Sequence, residues 1–263
     1  MLNNSLQTVK YEVKDRVARV TLNRPEVHNA FNDVMINELT QVFKDLNAMA
    51  EVRVIVLSGE GKSFCAGADL NWMKKVKDYT YLDNLKESME LAGMFHIIYS
   101  SPKPTIARVQ GTAIGGGTGL VAVCDLAVSS ADAKFSFSEV KLGLIPACIS
   151  PYVLKKCGEG KTRELFLTGE RISAEKALSV GLINKAVPGD ELDNTVNELV
   201  NQLISSGPKA IEKCKELVST VSRLSYDNVM KYTAEIIAKM RMSDEAQEGM
   251  IAFLDKRKPN WSK

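Results

Sequence analysis

The sequence is poor in the residues that mark metal and redox centres. It has only two histidines, His28 and His96, and no C-x-x-C pair among its five scattered cysteines, so a zinc site has little to build on. An odd cysteine count suits a reducing compartment. Charge of one sign is also missing. Thirty-four basic and thirty-two acidic residues leave a formal net charge of +2, too weak a field to argue for nucleic acid or a membrane surface as a partner. No apolar run approaches the ~18 residues that a membrane helix needs. The opening residues Met1-Leu-Asn-Asn-Ser-Leu-Gln7 show neither a signal-peptide core nor an arginine-rich transit pattern, so the expected location is cytoplasmic. There is no fixed-period repeat and no low-complexity segment. What is there is ordinary for a globular chain of 263 residues: 45% hydrophobic, 25% charged, and long enough for a large core.

Hydrophobic periodicity organises the chain. Val9–Glu12 and Val17–Leu22 alternate and are split by Lys14-Asp15-Arg16, which predicts a hairpin. A helix follows, with Asn32 or Asp33 as N-cap and Met35, Leu39, Val42, Phe43 and Leu46 on one face. Val52–Leu57 is a short buried strand ended by Ser58-Gly-Glu-Gly61. Leu82–Tyr99 has helical spacing through Leu85, Met89, Leu91, Met94, Phe95 and Ile98, and Pro102 and Pro104 stop it. Then come a strand at 104–109, a glycine loop, a helix at 118–124, a strand at 125–129 and another at Lys134–Phe137. Alternating strands and helices imply a largely parallel sheet under helices, an α/β class. Beyond Ser173 a short helix and a β piece at Val180–Ile183 precede helices at 191–205, 208–220 and 225–242.

Two glycine-rich loops carry the chemistry: Phe64-Cys-Ala-Gly-Ala-Asp69 and Ala113-Ile-Gly-Gly-Gly-Thr-Gly119. A phosphate-cradling reading fails for Gly61-Lys62-Ser63, because the glycine required five residues before Gly61 is Val56. Gly117-Thr-Gly119-Leu-Val-Ala122 does match G-x-G-x-x-A, but seven residues separate it from the end of its strand at Val109. Read together, the loops suit another task. Each follows a buried strand, so two backbone N–H groups, one from each loop, can converge on one oxygen as an oxyanion hole.

These motifs, in this order, resemble the enoyl-CoA hydratase/isomerase (crotonase) family. They are Phe64–Leu70, Gly111-x-x-x-Gly-Gly-Gly117, Cys124-Asp125 and Phe137-Ser-Glu-Val-Lys-Leu-Gly-Leu144, with Pro25, Asn29-Ala30, Leu167–Ala174 and Gly181–Val187 in support. The likeness runs over about residues 8 to 258. It implies a crotonase-like spiral of ββα units over residues 1–195 and a helical trimerisation region over 196–263, assembled as a homotrimer or hexamer. It implies an acyl-CoA thioester as substrate, with coenzyme A entering as part of it and no separate cofactor or metal. By motif position the N–H groups of Ala68 and Gly116 form the oxyanion hole and Glu139 is the catalytic carboxylate. Ala66, Asp69 and Leu70 run along the coenzyme. Trp72, Gly115, Gly119 and Pro146 complete the expected contacts. Phe253 and Lys256 are similar to residues that reach a neighbouring subunit's nucleotide.

The sequence departs from the family pattern at one position. Hydratases of this family carry two glutamates, and the first, three residues after the middle glycine, is here Gly119. Two carboxylates can divide acid and base work around a water; one can still shuttle a proton. The segment Gly143–Tyr152, with Ala68–Met73 and Glu139–Leu144, resembles the methylglutaconyl-CoA hydratase branch of leucine degradation. The expectation is therefore hydration of a 2-enoyl-CoA. A Δ3,Δ2-enoyl-CoA isomerase using Glu139 alone, or a catalytically weak acyl-CoA or RNA binding homologue, are the alternatives. Plainer roles are expected for other reactive side chains: Cys65 as a packing residue without a histidine to activate it, His28 as a loop residue, and His96 as a core histidine on the apolar face of helix 82–99. By itself, Glu139 reads as a residue of an alternating strand.

Overall fold

A computed structural model describes residues 6–262; part of the N-terminal stretch read for targeting signals, residues 1–5, lies outside them. The hairpin forms as expected, β1 (Val9–Lys14) antiparallel to β2 (Val17–Leu22). Its two-residue turn, Asp15-Arg16, has positive φ at both positions, the geometry whose twist matches the strands. Asn32 caps α1 (Asp33–Ala48) by accepting the Met35 N–H at 2.9 Å. Met35, Ile36, Leu39, Val42, Phe43 and Leu46 form its buried face. At roughly 1.5–3 kcal/mol per large buried side chain, that face outweighs the ~1 kcal/mol of the cap.

Three successive ββα units follow. In each, the first strand joins one sheet and the second joins another. The pairs are β3 (Val54–Gly59) with β4 (Ser63–Cys65), β5 (Thr105–Val109) with β6 (Thr112–Ile114), and β7 (Leu126–Ser130) with β8 (Lys134–Ser136). Six strands run in the order β1-β2-β3-β5-β7-β10, where β10 is Lys185–Val187, all parallel from β2 onward. The second sheet runs β4-β6-β8-β9, with β9 at Arg171–Ser173. The spiral implied by the family resemblance is therefore present.

The large sheet is covered on both faces, which is why β3 reads as an unbroken apolar run. Ile55 and Leu57 face the main core with α1, while Val54 and Val56 pack with Leu192, Val196 and Val200 of α7 (Leu192–Ser205). Between units lie α2 (Leu70–Val76), α3 (Tyr81–Tyr99), α4 (Gly116–Val123), α5 (Ser150–Thr168, broken at Gly158) and α6 (Ala174–Ser179). Three helices end the chain: α8 (Pro208–Val221), α9 (Tyr226–Arg241) and α10 (Asp244–Leu254). No helix among the described residues is long and apolar enough to cross a membrane.

Several expectations need correction. The helix after the glycines starts at Gly116, not at 118. The β piece expected at Val180–Ile183 forms at Lys185–Val187, where it can pair with β7. Only the C-terminal half of α3 is buried, at Met94, Phe95 and Ile98; Leu85 and Met89 are exposed. His96 is exposed rather than in the core.

Candidate active site

The two glycine loops meet because β4 and β6 are adjacent parallel strands with Cys65 opposite Ala113. Ala68 and Gly116 each lie three residues past that pair. The loops also touch directly. A Cβ on Gly67 would sit 3.0 Å from the Ile114 carbonyl oxygen, and one on Gly117 would overlap the Cys65 carbonyl. Ala68 is exposed and Gly116 partly so, whereas Gly67, Gly115 and Gly117 are buried. The two expected donors are thus accessible, as are Ala66 and Ile114 in part.

Local hydrogen bonding leaves both N–H groups free to point outward. Phe31 N–H donates to the Gly67 carbonyl at 2.6 Å, and Asp69 N–H donates to the Phe31 carbonyl at 2.8 Å. In this parallel bridge, Phe31 opposite Ala68, the intervening Ala68 N–H faces away from Phe31. Gly116 is the first residue of α4, whose opening N–H groups have no intrahelical acceptor and lie at the positive end of the dipole. Gly115, with φ 53° and ψ −123°, makes the turn that aims them. The Thr118 hydroxyl, buried between the Ala113 and Ser136 carbonyls at 2.8 and 2.9 Å, pins the helix to β6 and β8.

Glu139 stands next to this loop. A Cβ on Gly115 would be 3.2 Å from Glu139 Oε1. The expected strand ends early, at Ser136, and Glu139 sits instead in a 3-10 turn, Ser138–Leu142, closed by left-handed Gly143. Its Oε2 is buried and makes no hydrogen bond to the protein. Burial pushes the Glu139 carboxyl above its ordinary range, and the opposing pull of its own backbone N–H does not cancel this.

The remaining expected contacts divide. Ala66 donates its N–H to the His28 carbonyl at 3.0 Å, at the edge of the loop. Leu70 is 74% exposed. The Trp72 indole N–H donates to Glu87 at 3.1 Å, and the Tyr79 hydroxyl donates to the same carboxylate at 3.0 Å, tying α2 to α3. Asp69 is engaged within the chain. It is buried, and its carboxylate accepts from Arg24 at 2.7 Å and from the N–H groups of Asn71 and Trp72 that begin α2. Its side chain has a structural partner at each oxygen. Gly119 and Pro146 are buried too. Phe253 and Lys256 are exposed at the end of α10, and Phe253 lines a cavity with Gly207, Ala210 and Trp261 that contains no residue of the glycine loops. Cys65 is confirmed as a packing residue: burial pushes its thiol up to about 12.

Gly119 is more than a missing acid. A side chain there would overlap Ile149 Cγ2 and approach Phe95 Cε1 to 3.3 Å. Ile149, at the mouth of α5, fills the space a first carboxylate would need. Sequence reasoning missed Ile149, along with Phe31, whose ring packs edge-on against Phe95 at 6.2 Å and against Gly116. The only signal for Ile149 was the departure of segment 143–152 from the family pattern. Among the described residues, no group of acidic, histidine or cysteine side chains is arranged to hold a metal.

The chain is similar to known proteins over nearly its whole length. The model of the enoyl-CoA hydratase/isomerase family matches residues 12–263. A short-chain-enoyl-CoA hydratase of Clostridium acetobutylicum is 32% identical over 96% of this chain and 97% of its own length. A crotonyl-CoA hydratase of Syntrophomonas wolfei is 30% identical over 97% of this chain and 98% of its own. The crystal structure of an enoyl-CoA hydratase from Shewanella pealeana superposes with a TM-score of 0.96 at 39% identity, covering 99% of this chain and 98% of that one. On the ordered motifs, the two-sheet spiral and the match over nearly its whole length, the chain belongs to the enoyl-CoA hydratase/isomerase (crotonase) family.

Proposed function

We propose that this chain is a hydro-lyase that adds water across the double bond of a 2-enoyl-CoA, with Glu139 as its one catalytic carboxylate. The observation that supports this reading best is Glu139 itself, a carboxylate with a buried oxygen that makes no hydrogen bond to the protein, beside the glycine loop that carries Gly116. Water adds at the β carbon while Glu139 takes its proton. The thioester carbonyl becomes an enolate held by the N–H groups of Ala68 and Gly116. Glu139 then returns the proton to the α carbon. Each such donor is worth roughly 3–4 kcal/mol of transition-state stabilisation. A carboxylate raised above its usual range is the stronger base for the first step, and its pKa lies closer to the operating pH.

We assign 3-methylglutaconyl-CoA as the substrate to test first, from the resemblance of segments 68–73 and 139–152. Coenzyme A enters as part of the substrate, and the C-terminal helices assemble a trimer or a dimer of trimers. The filling of the first-glutamate position by Ile149 favours a second reading, a Δ3,Δ2-enoyl-CoA isomerase, since moving a proton between carbons needs one carboxylate. The enoyl-thioester absorbance separates them. Its loss with crotonyl-CoA or 3-methylglutaconyl-CoA supports hydration, and its gain from a 3-enoyl-CoA supports isomerisation. No change with either, despite coenzyme binding, would leave a binding protein. Full hydratase activity in Glu139→Gln would overturn the mechanism.

A further inference from the structure

The donor loop that carries Ala68 is packed into the core at Phe64 and Cys65, and its exposed end is held by a polar clamp. Arg24 follows β2, and its guanidinium spreads two ways. Nη1 donates to the Ala30 carbonyl at 2.6 Å and Nη2 to Asp69 Oδ2 at 2.7 Å. Both side chains are largely buried, 16% and 6% exposed. The Arg24 backbone grips the same segment, its N–H donating to Asn29 Oδ1 at 2.9 Å while its carbonyl accepts from Asn29 N–H at 2.8 Å. That segment leads into Phe31, whose backbone laces Gly67 and Asp69 on either side of Ala68. The Phe31 ring lies against Gly116: a Cβ there would come within 2.8 Å of Phe31 Cε2. One residue therefore touches both donor loops, and one ion pair fixes that residue to the loop.

We propose that Arg24 and Asp69 are positioning residues that set the separation of the Ala68 and Gly116 donors, acting through Phe31. This rests on the reading of those two N–H groups as the oxyanion hole. A planar fork is needed because one cation must meet a carbonyl and a carboxylate on opposite sides of the bridge. Asp69 has a second duty as the N-cap of α2, so the direction of Ala68 N–H and the start of that helix are set by one carboxylate. A donor displaced by about 1 Å at such a site costs on the order of 100-fold in rate.

The test uses Asp69→Asn, which keeps the size and the capping oxygen but removes the charge, together with Arg24→Gln, Arg24→Lys and the Asn/Gln double variant. Turnover of the best enoyl-CoA substrate is measured alongside binding of acetoacetyl-CoA, whose enolate absorbs in the near ultraviolet and reports the oxyanion site without turnover. We expect kcat to fall about 10–100-fold with KM within about twofold, and a weakened enolate band at saturation. Arg24→Lys should recover part of both, and the double variant should be no worse than the poorer single, as for residues acting as a unit. Variants that lose thermal stability but keep wild-type kcat and enolate absorbance would reduce the pair to a structural role and overturn the proposal. A wild-type protein that binds acetoacetyl-CoA without an enolate band would instead sink the oxyanion reading, and the clamp with it.

Discussion

Glu139 is the residue whose environment says most about its task. Its carboxyl is raised by burial, so the ionised form is the strained one in the folded protein. A group whose folded pKa lies above its unfolded value contributes stability below the unfolded pKa and loses it as pH rises through the folded pKa. At neutral pH the ionised Glu139 therefore costs stability. Glu139→Gln should abolish turnover and, at the same pH, raise Tm, because the neutral amide has no charge to desolvate. Differential scanning calorimetry at pH 7.5 checks it; an unchanged or lower Tm would show that the carboxylate is compensated. The same shift predicts that kcat/KM rises with pH along an acid limb centred above the ordinary glutamate range, which Gln removes. Gly119 makes a complementary case. Its Cβ direction is filled by Ile149, so Gly119→Ala, although favoured by helix propensity by ~1 kcal/mol, should destabilise by about 1–2 kcal/mol net through overpacking. With Ile149→Ala as partner, the double variant should lose less than the sum of the singles, as urea unfolding would read.

At the scale of elements, legibility followed the strength of local signals. The hairpin, α1 and the buried strand β3 were readable within two residues because alternation, a polar cap and continuous burial are local properties. The strand reading of Glu139 failed because Phe137 leaves extended geometry, with ψ 72°, and a one-turn 3-10 segment carries no periodicity. Helix α5 escaped because Pro151, Gly158 and Gly160 read as breakers; Pro151 falls in the first turn, where it is tolerated, and Gly158 does break the helix. Helix α2 has no buried residue and thus no apolar stripe to read. It is held at its start by the Asp69 cap, and Trp72 and Tyr79 both donate to Glu87. Glu87→Ala should therefore loosen residues 70–80 without unfolding the molecule. Hydrogen exchange should speed there by about tenfold while the exchange of β3 and β5 stays unchanged. Equal protection of 70–80 in both proteins would show that Glu87 does not anchor the helix.

For the whole molecule, the informative feature is apolar surface that one chain leaves uncovered. Helices α8 and α9 bury no residue fully, and Val218, Tyr226, Met230, Ile237, Met242, Phe253 and Leu254 are exposed large side chains. A soluble surface seldom keeps so much apolar area open without a partner. The trimer proposed from the family resemblance would cover such faces and would place Phe253 and Lys256 against the neighbour's nucleotide. In one chain, the cavity lined by Phe253 holds no residue of the glycine loops, so in the proposed trimer its service would be to another copy's site. Mixing subunits tests this. Glu139→Gln subunits have no proton shuttle but an intact C-terminal end. Phe253→Ala/Lys256→Ala subunits keep Glu139 but supply a poor nucleotide contact, which should raise KM about tenfold, the equivalent of ~1.4 kcal/mol of binding. After co-refolding, a site whose Glu139 comes from the second kind and whose Phe253 and Lys256 come from the first is complete. Activity at low substrate should exceed the sum of the two parents. Activity equal to that sum would mean that each chain serves its own site or that Phe253 and Lys256 make no nucleotide contact, and separate KM values for the Phe253→Ala/Lys256→Ala parent decide between those two.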